Sequence, residues 1–364
     1  MIPIAQPILD GNERVYVLDC LDTSWISSVG SYIPRFEAAF ADFVGVKHAL
    51  SCCNGTVALH LALLGLGVGP GDEVIVPTLT YVASANAVRY CGATPVLIDS
   101  EADSWNLDPN LLEGLITERT RGIIVVHLYG HPADMDPIMA VARRHGLFVL
   151  EDAAEAHGAT YKGRNIGTIG DVATFSFYGN KILTTGEGGM VCTQDDQLAA
   201  RIRQLKGQGQ DPQHRYWFPI VGYNYRMTNI EAAIGLAQVE RASWHIARRR
   251  EVASWYRSRL AAVPGIQFSP EMPWAQSVFW LSCVVIDETL NRSSVMCYLQ
   301  SKSVETRPFF YPMHVLPVYV ADASSYPVAT RLGRQGINLP SHGLLTEDEI
   351  TYVVNTLSEA LRTA

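Results

Sequence analysis

The sequence predicts an α/β protein with a mainly parallel central sheet and a smaller C-terminal α/β domain. Between residues 48 and 205, short apolar runs alternate with segments whose apolar residues recur at helical spacing. The chain has 364 residues, of which 48% are hydrophobic. That content is sufficient for one large core and a second, smaller one.

The predicted elements alternate along the chain. A helix-like piece at 12–21 lies in an N-terminal arm, residues 1–32, and a second helical pattern covers 34–44. The predicted strands are 48–53, 73–77, 93–99, 122–128, 147–150, 172–177 and 190–192. The predicted helices are 57–64, 80–90, 135–145, 195–205 and one that begins at Asp108-Pro109.

The C-terminal part shows the same alternation on a smaller scale. Residues 206–228 predict a long functional loop, and a helical pattern runs from Asn229 to about residue 262. We place the boundary between a large domain, 1–240, and a small domain, 241–364, within this helix. The small domain is predicted to contain a strand at 278–285, helices at 293–302 and 328–333, and a last helix after the capping box Thr346-x-x-Glu349.

Composition excludes several classes of function. The net charge of −8 argues against a nucleic-acid partner, because phosphate backbones require clustered basic residues. Seven cysteines without Cys-x-x-Cys spacing argue against a disulfide framework or a zinc site, and no metal is expected. The start at Met1 lacks a basic, apolar leader, and no apolar run is long enough to span a bilayer. We therefore expect a cytoplasmic protein without a membrane partner.

A single lysine follows the predicted strand at 172–177 and precedes a glycine-rich return at 184–189. Lys181 is thus held between two strands. Burial there would lower the pKa of its amine and allow the amine to attack a carbonyl. Read alone, a lysine at a strand end is more often a solvated surface residue.

Two further features lie at the ends of predicted strands. Asp152 follows the apolar run at 147–150, and ligands of open α/β sheets bind at the carboxyl ends of strands. Gly55 and Thr56 lie in the turn that opens a helix, which is a phosphate site or an ordinary helix cap. A lysine, an acid and a phosphate cradle are the three groups that pyridoxal phosphate requires.

Nicotinamide chemistry is the main alternative for this fold class. No Gly-x-Gly-x-x-Gly follows the first predicted strands. The glycines at 65, 67, 69 and 71 follow a helix and precede a strand, which is the wrong order for dinucleotide binding. A Rossmann dehydrogenase is therefore a poor interpretation.

Several motifs occur together in one order and spacing. They are Asn54-Gly55-Thr56, the runs 151–158 and 176–181, and the shorter matches 25–30, 77–81, 222–229 and 309–314. In this combination the chain resembles the sugar aminotransferases of the DegT/DnrJ/EryC1/StrS type over nearly its whole length. The resemblance implies a fold-type I enzyme that depends on pyridoxal phosphate.

The resemblance also implies roles for individual residues. Lys181 would bind the cofactor covalently and then move a proton, and Asp152 would pair with the pyridinium nitrogen. Gly55, Thr56 and Ser176 would bind the phosphate. Further cofactor contacts are expected from Tyr81, Glu155 and Asn224.

Three of these positions keep alternatives open. Tyr81 would stack over the cofactor ring or belong to the core. Asn224 would reach the phosphate of a partner subunit, in a homodimer with a shared active site, or cap a local turn. Glu155 stands where many members carry glutamine next to the phenolic oxygen, and a carboxylate donates to that oxygen only when it is protonated.

The predicted substrate contacts are less well defined by the motifs. They are Trp25, Ser27, His157, Arg226, Tyr311 and His314. Trp25 and Ser27 would line the mouth of the site or merely dock the arm, and His157 would buttress the cofactor or pack in its loop. Arg226, Arg307 and Lys206 are candidates for anionic groups, and each is equally compatible with a structural or surface cation.

The predicted reaction is a two-step transamination. L-glutamate would leave its amine on the cofactor, giving pyridoxamine phosphate, and the amine would then pass to the ketone of a nucleotide-linked 4-keto-6-deoxysugar. Overall similarity favours GDP-4-keto-6-deoxymannose, and a role in O-antigen synthesis is implied by the resemblance only. Alternatives are a 3-aminotransferase or a UDP- or dTDP-linked substrate, a sugar dehydratase, which carries histidine at the Lys181 position, and a sensor without turnover.

Overall fold

The computed structural model describes residues 1–363. The helices are α1 (Glu13–Asp22), α2 (Tyr32–Val44), α3 (Gly55–Gly65), α4 (Ala83–Tyr90), α5 (Met135–His145), α6 (Asp196–Lys206), α7 (Asn229–Glu240), α8 (Ala242–Leu260), α9 (Arg292–Ser301), α10 (Pro327–Gln335) and α11 (Glu347–Thr363). The first nine strands are β1 (His48–Cys52), β2 (Glu73–Pro77), β3 (Thr94–Ile98), β4 (Thr120–Val126), β5 (Phe148–Asp152), β6 (Thr160–Tyr161), β7 (Arg164–Asn165), β8 (Val172–Ser176) and β9 (Gly189–Thr193). The remaining strands are β10 (Ile266–Phe268), β11 (Ala275–Gln276), β12 (Ser282–Ile286), β13 (Arg307–Pro308) and β14 (Gly336–Leu339).

The large sheet has seven strands in the order β1-β9-β8-β5-β4-β2-β3. Strand β9 runs antiparallel to both of its neighbours, and the pairs β8–β5, β5–β4, β4–β2 and β2–β3 are parallel. Six strands therefore point in one direction, and the prediction of a mainly parallel α/β sheet is confirmed. The strands of its centre are buried throughout because helices cover both faces.

A second sheet forms the framework of the C-terminal part. Its four strands follow the order β10-β12-β14-β13, and all pairs are antiparallel. Helices α8, α9 and α11 pack on it around a separate apolar core that includes Tyr256, Val295, Leu299 and Leu357. A smaller unit with its own core is thus present, as the sequence predicts.

Two predicted helices differ from the structure. The long helix predicted from Asn229 to about residue 262 is broken at Arg241, whose φ of −113° and ψ of 11° lie outside the helical region. The helix predicted to begin at Asp108 is reduced to the short 3-10 turns Pro109–Leu111 and Glu113–Leu115. The Asp108 carboxylate does cap the first of these turns by accepting the N–H of Asn110 at 2.9 Å.

The N-terminal arm crosses the predicted division at residue 240. Ile2 forms a parallel bridge with Val304, and the carbonyl of Ile4 accepts the N–H of Ser341 at 2.9 Å. The first residues of the chain therefore pair with the small unit. The division into 1–240 and 241–364 stays a prediction. The arm contacts residues of both predicted domains.

Within residues 1–363, none of the helices has both the length and the apolar character that crossing a membrane demands.

Candidate active site

The predicted site residues lie at the edge of the large sheet where the parallel strands end. Strands β1, β8, β5 and β2 share one direction, so their carboxyl ends lie at the same edge of the sheet. Gly55 follows β1, Lys181 follows β8 and Asp152 ends β5. Tyr81 follows β2 on the same edge.

Lys181 lies in the turn between β8 and β9 with a side chain that is 12% exposed. Its backbone N–H donates to the carbonyl of Tyr178 at 2.9 Å, which fixes the turn. Burial lowers the pKa of the amine, while the charges of Glu155 and Asp152 oppose this effect. The sequence interpretation of a desolvated lysine thus agrees with the structure, and its covalent role stays a prediction.

Glu155 is the nearest acidic group to the lysine. Its Oε1 lies 3.6 Å from Nζ of Lys181, and its Oε2 accepts the backbone N–H of Tyr129 at 2.7 Å. Burial raises the pKa of this carboxyl to about 7, although the charge of Lys181 acts in the opposite direction. Glu155 is therefore a group that holds or releases a proton near neutral pH.

Asp152 is buried at the end of β5, with 5% of its surface exposed. Its Oδ2 accepts the hydroxyl hydrogen of Ser84 at 2.7 Å, and Oδ1 accepts the N–H of Ala154 at 3.3 Å. Burial raises the pKa of the carboxyl, and the hydrogen bonds from Ser84 and Ala154 lower it. The sequence reasoning missed Ser84, because no local pattern connects α4 with β5.

The amino end of α3 forms a cradle for an anion. Asn54 caps this helix by accepting the N–H of Val57 at 3.0 Å, which leaves the N–H groups of Gly55 and Thr56 without acceptors among residues 1–363. Ser176 closes the cradle from β8, since a Cβ on Gly55 would lie 2.7 Å from the Ser176 Cβ. Two free amides and two hydroxyl groups at a positive helix end suit a phosphate.

A row of aromatic side chains lines the site from the lysine outwards. The Nζ of Lys181 lies 3.9 Å from the centre of the Trp280 ring, and Trp280 stacks on Tyr129 at 6.2 Å. Tyr129 stacks in turn on Phe310 at 5.4 Å, and Phe310 contacts Tyr81 at 5.7 Å. Tyr81 is 57% exposed, so the structure favours the site interpretation over a core position for this residue.

His157 lies in an aromatic cluster rather than on an open surface. Its ring is fully buried and contacts the rings of Phe40, Phe175 and Phe177 at 5.2–6.2 Å. Neither ring nitrogen has a partner among residues 1–363, and burial lowers the pKa of the imidazole to about 3, with a further contribution from Lys181. The packing alternative is favoured, and a substrate contact stays a prediction.

The arm residues Trp25 and Ser27 are exposed, and their backbone carbonyls are both held by Asn229. The amide of Asn229 donates to the carbonyl of Trp25 at 2.7 Å and accepts the N–H of Tyr32 at 3.0 Å. The carbonyl of Ser27 accepts the backbone N–H of Asn229 at 2.7 Å. Trp25 and Asn229 line an open cleft of about 440 Å³.

The remaining predicted contacts occupy different environments. Asn224 and Arg226 are exposed and bond to each other at 3.0 Å, and Tyr311 is 58% exposed. His314 is 1% exposed, with Nδ1 bonded to Thr78 at 2.8 Å and Nε2 to Thr330 at 3.0 Å. A substrate contact by His314 would require these bonds to break.

Two candidate anion-binding cations already have acidic partners. Lys206 is buried between the carboxylate of Glu37, at 3.0 Å, and the carbonyl of Ser51, at 2.6 Å. Arg307 pairs with Glu305 at 3.3 Å on the surface. For Lys206 the structural alternative is therefore favoured. Within residues 1–363 no group of three or more His, Cys, Asp or Glu side chains is arranged to hold a metal ion.

Comparison with known proteins identifies the family. Residues 7–358 match the DegT/DnrJ/EryC1/StrS aminotransferase family. The chain belongs to this family. A relative from Caulobacter vibrioides, named GDP-perosamine synthase, is 57% identical over 99% of this chain and 98% of its own length. A relative of the same name from Escherichia coli O157:H7 is 48% identical over 98% of both chains.

A third relative carries a different substrate name. It is a dTDP-3-amino-3,4,6-trideoxy-alpha-D-glucose transaminase from Streptomyces venezuelae, 42% identical over 91% of this chain and 87% of its own. Among solved structures, S. venezuelae DesV in complex with a ketimine intermediate superposes with a TM-score of 0.91 at 39% identity, covering 96% of this chain and 94% of DesV. The PLP form of Spr1654 from Streptococcus pneumoniae gives a TM-score of 0.95 at 29% identity, covering 100% of this chain and 99% of Spr1654.

These findings confirm the predicted class of enzyme and its cofactor. Members of the DegT/DnrJ/EryC1/StrS family are aminotransferases that depend on pyridoxal phosphate, and this chain is one of them. The donor set at the sheet edge fits the group: an anion cradle at α3, a buried carboxylate in Asp152 and a desolvated amine in Lys181.

Proposed function

We propose that the enzyme transfers the amino group of L-glutamate to C4 of GDP-4-keto-6-deoxymannose and so forms GDP-perosamine. The observation that carries the choice of substrate is the full-length similarity to two enzymes named GDP-perosamine synthase. The choice of reaction type rests on the site. There a desolvated amine, a buried acid and an anion cradle lie at one edge of the sheet.

Pyridoxal phosphate supplies an aldehyde that binds amines and a ring that withdraws electrons from the carbon beside the bound nitrogen. The N–H groups of Gly55 and Thr56 and the hydroxyl group of Ser176 would hold its phosphate. Asp152 would face the ring nitrogen. Because Ser84 and Ala154 already donate to this carboxylate, its orientation is set before any ligand arrives.

Lys181 acts twice in the proposed reaction. Its amine would hold the aldehyde of the cofactor, and burial favours the neutral, nucleophilic form that this role requires. When it is free of the cofactor, the same group would act as the base that moves a proton between the cofactor carbon and the sugar carbon. Glu155, with Oε1 at 3.6 Å, is placed to accept or return a proton at Nζ.

A second copy of the chain completes the proposed active site. The arm and the loop before α7 expose large apolar side chains that a monomer would leave in water, namely Trp25, Val29, Tyr216, Trp217 and Val221. Asn224 and Arg226 are exposed beside the same loop. We infer a homodimer in which Asn224 reaches the cofactor phosphate of the partner subunit.

A dTDP-linked sugar is the second candidate substrate, and the relative from Streptomyces venezuelae favours it. The experiment that decides uses L-glutamate labelled with heavy nitrogen and equal amounts of GDP-, dTDP- and UDP-linked 4-keto-6-deoxysugars. Mass spectrometry identifies the nucleotide sugar that gains the label, and NMR locates the amine at C3 or C4.

We expect the label in the GDP sugar at C4, and no label with Lys181→Ala. Label confined to a dTDP or UDP sugar would refute the proposed substrate and leave the enzyme class intact. No transfer from glutamate, with transfer from another amino acid, would refute the proposed donor.

A further inference from the structure

Trp280 has a specific contact with the lysine that the proposed reaction does not yet use. It precedes β12, is 3% exposed, and presents its ring face to Nζ of Lys181 at 3.9 Å. A cation at this distance from an indole face is attracted by the ring's negative quadrupole. No other aromatic ring contacts the Nζ of Lys181 within residues 1–363.

One hydrogen bond holds the indole itself, and Arg249 links the backbone of Trp280 to that of the lysine. The indole Nε1–H donates to the carbonyl of Asn180, the residue before the lysine, at 2.8 Å. The carbonyl of Trp280 accepts from the guanidinium of Arg249 at 2.6 Å, and the same guanidinium reaches the carbonyl of Lys181 at 3.5 Å. The ring also stacks on Tyr129. The backbones of Lys181 and Trp280 are therefore tied together by one buried cation.

Among residues 1–363, none of the charged groups around the amine forms a hydrogen bond with it, so an aromatic partner can add to its stabilisation. Glu155 at 3.6 Å is beyond hydrogen-bond distance, and Asp152 acts through its charge rather than a contact. Arg249 destabilises the ammonium, and the buried imidazole of His157 is neutral because its pKa is lowered to about 3. After Glu155, at 3.6 Å, the indole face at 3.9 Å is thus a second neighbouring group that favours the charged amine.

We propose that Trp280 is a positioning residue that holds the free ammonium of Lys181 against its indole face whenever the amine is not bound to the cofactor. This inference rests on the proposed role of Lys181. During amino transfer the lysine must leave the cofactor and return to it, and a charged, unanchored amine would drift towards water. The ring keeps Nζ within reach of Glu155 for both proton transfer and recapture.

The sign of a pKa change separates this role from simple packing. A cation–π contact stabilises the ammonium, so its removal lowers the pKa of Lys181. If Trp280 only filled space, replacing it with a smaller residue would admit water, relieve the desolvation and raise the pKa. The two interpretations therefore predict opposite shifts for Trp280→Leu.

The test uses the full-length chain freed of cofactor. A limiting amount of an amine-reactive reagent is added over a series of pH values, and mass spectrometry follows the peptide that contains Lys181. We expect the pH midpoint of labelling to fall by about 1 pH unit in Trp280→Leu, and by less in Trp280→Phe, which keeps a weaker ring face. Buried Lys206 is the internal reference in each sample.

Trp105→Phe is the matched control, because Trp105 is 2% exposed, packs on Phe309 and, within residues 1–363, makes no cation–π contact with Lys181. It should leave the midpoint unchanged. If Trp280→Leu fails to fold by circular dichroism, Trp280→Phe decides. An unchanged or raised midpoint in the folded variant would overturn the inference. Failure of the parent protein to bind the cofactor through Lys181 would instead refute the proposed function, because the labelling experiment does not depend on cofactor binding.

Discussion

Burial shifts the pKa of each key ionisable side chain in the direction that favours its neutral form. It lowers the pKa of Lys181 and raises those of Asp152 and Glu155. Because Lys181 and Glu155 face each other at 3.6 Å, their titrations are coupled. The proton that the two groups share lies either on the amine, which gives an ion pair, or on the carboxylate, which gives a neutral amine beside a carboxylic acid. The second arrangement supplies the nucleophile that capture of an aldehyde requires.

The raised pKa of Glu155 predicts a pH-dependent stability. The folded chain binds a proton on this carboxyl up to about pH 7, whereas the unfolded chain releases it near 4.5. The unfolding free energy of the cofactor-free protein should therefore fall as pH rises through this range, by at most about 3 kcal/mol from this group. Glu155→Gln should flatten that slope in urea unfolding curves measured at both ends of the range.

Exposed Glu251 provides the control for this measurement, since Glu251→Gln removes a carboxylate that is 47% exposed. The control should keep the slope of the parent protein. Equal slopes for Glu155→Gln and the parent would contradict a protonated Glu155.

Sequence patterns located the residues that follow strands and missed those that approach from elsewhere. Lys181, Asp152 and Gly55 each follow a short apolar run, so a local pattern was sufficient. Trp280 contacts a turn 100 residues earlier in the chain, and Arg249 contacts it across 68 residues. No periodicity in the sequence reports such contacts.

The α3 cradle shows how one element binds an anion through its backbone. The sequence predicted a turn at 54–56 and a helix from residue 57, whereas α3 begins at Gly55. The difference matters, because it places the first two amides of the helix in the site. A glycine is required at position 55 because a Cβ would lie 2.7 Å from Ser176.

Gly55→Ala should therefore weaken cofactor binding while leaving the fold in place. The new methyl group must push Ser176 or the helix away, which separates the hydroxyl from the two amides. We expect cofactor affinity, measured by equilibrium dialysis, to fall by about tenfold or more, as for loss of one charge-assisted hydrogen bond. Gly69→Ala is the control, since a Cβ there meets nothing within 4 Å. Equal losses in both variants would argue against the cradle.

The break between α7 and α8 is an element that local propensity does not predict. The helical pattern of the sequence continues through Arg241, but the N-terminal arm binds at this point. Arg241 pairs with Asp10, and Glu240 accepts hydrogen bonds from Asn12 and Tyr16 at 2.7 Å each. These contacts join residues more than 200 positions apart, so tertiary structure overrides the continuous helical pattern.

At the scale of the whole molecule, both sheets contribute to one site. The large sheet supplies the lysine, the acid and the cradle, whereas Trp280 and Phe310 come from the segments that flank the small sheet. The resemblance of the whole chain to one family predicted this architecture. The exposed apolar arm and loop are the basis of the proposed second copy.

The proposed dimer predicts that one substitution in the interface shifts the protein from dimer towards monomer. Val221 is 89% exposed and lies in the apolar loop, so Val221→Glu should place a charge in the interface and weaken association. Sedimentation velocity should show a dimer for the parent and a larger monomer fraction for the variant. Leu111→Glu, at an isolated apolar side chain that is 43% exposed, should remain dimeric. A monomeric parent would contradict the shared site.

The most direct test of the central claim concerns Lys181. The chain contains only five lysines, at positions 47, 162, 181, 206 and 302, so a modified lysine is assigned without ambiguity. The protein is loaded with pyridoxal phosphate, reduced with borohydride, digested and analysed by mass spectrometry. We predict the cofactor mass on the peptide that contains Lys181, and its loss in Lys181→Ala. Cofactor on Lys206 or another lysine instead, or on none, would contradict the proposed active site.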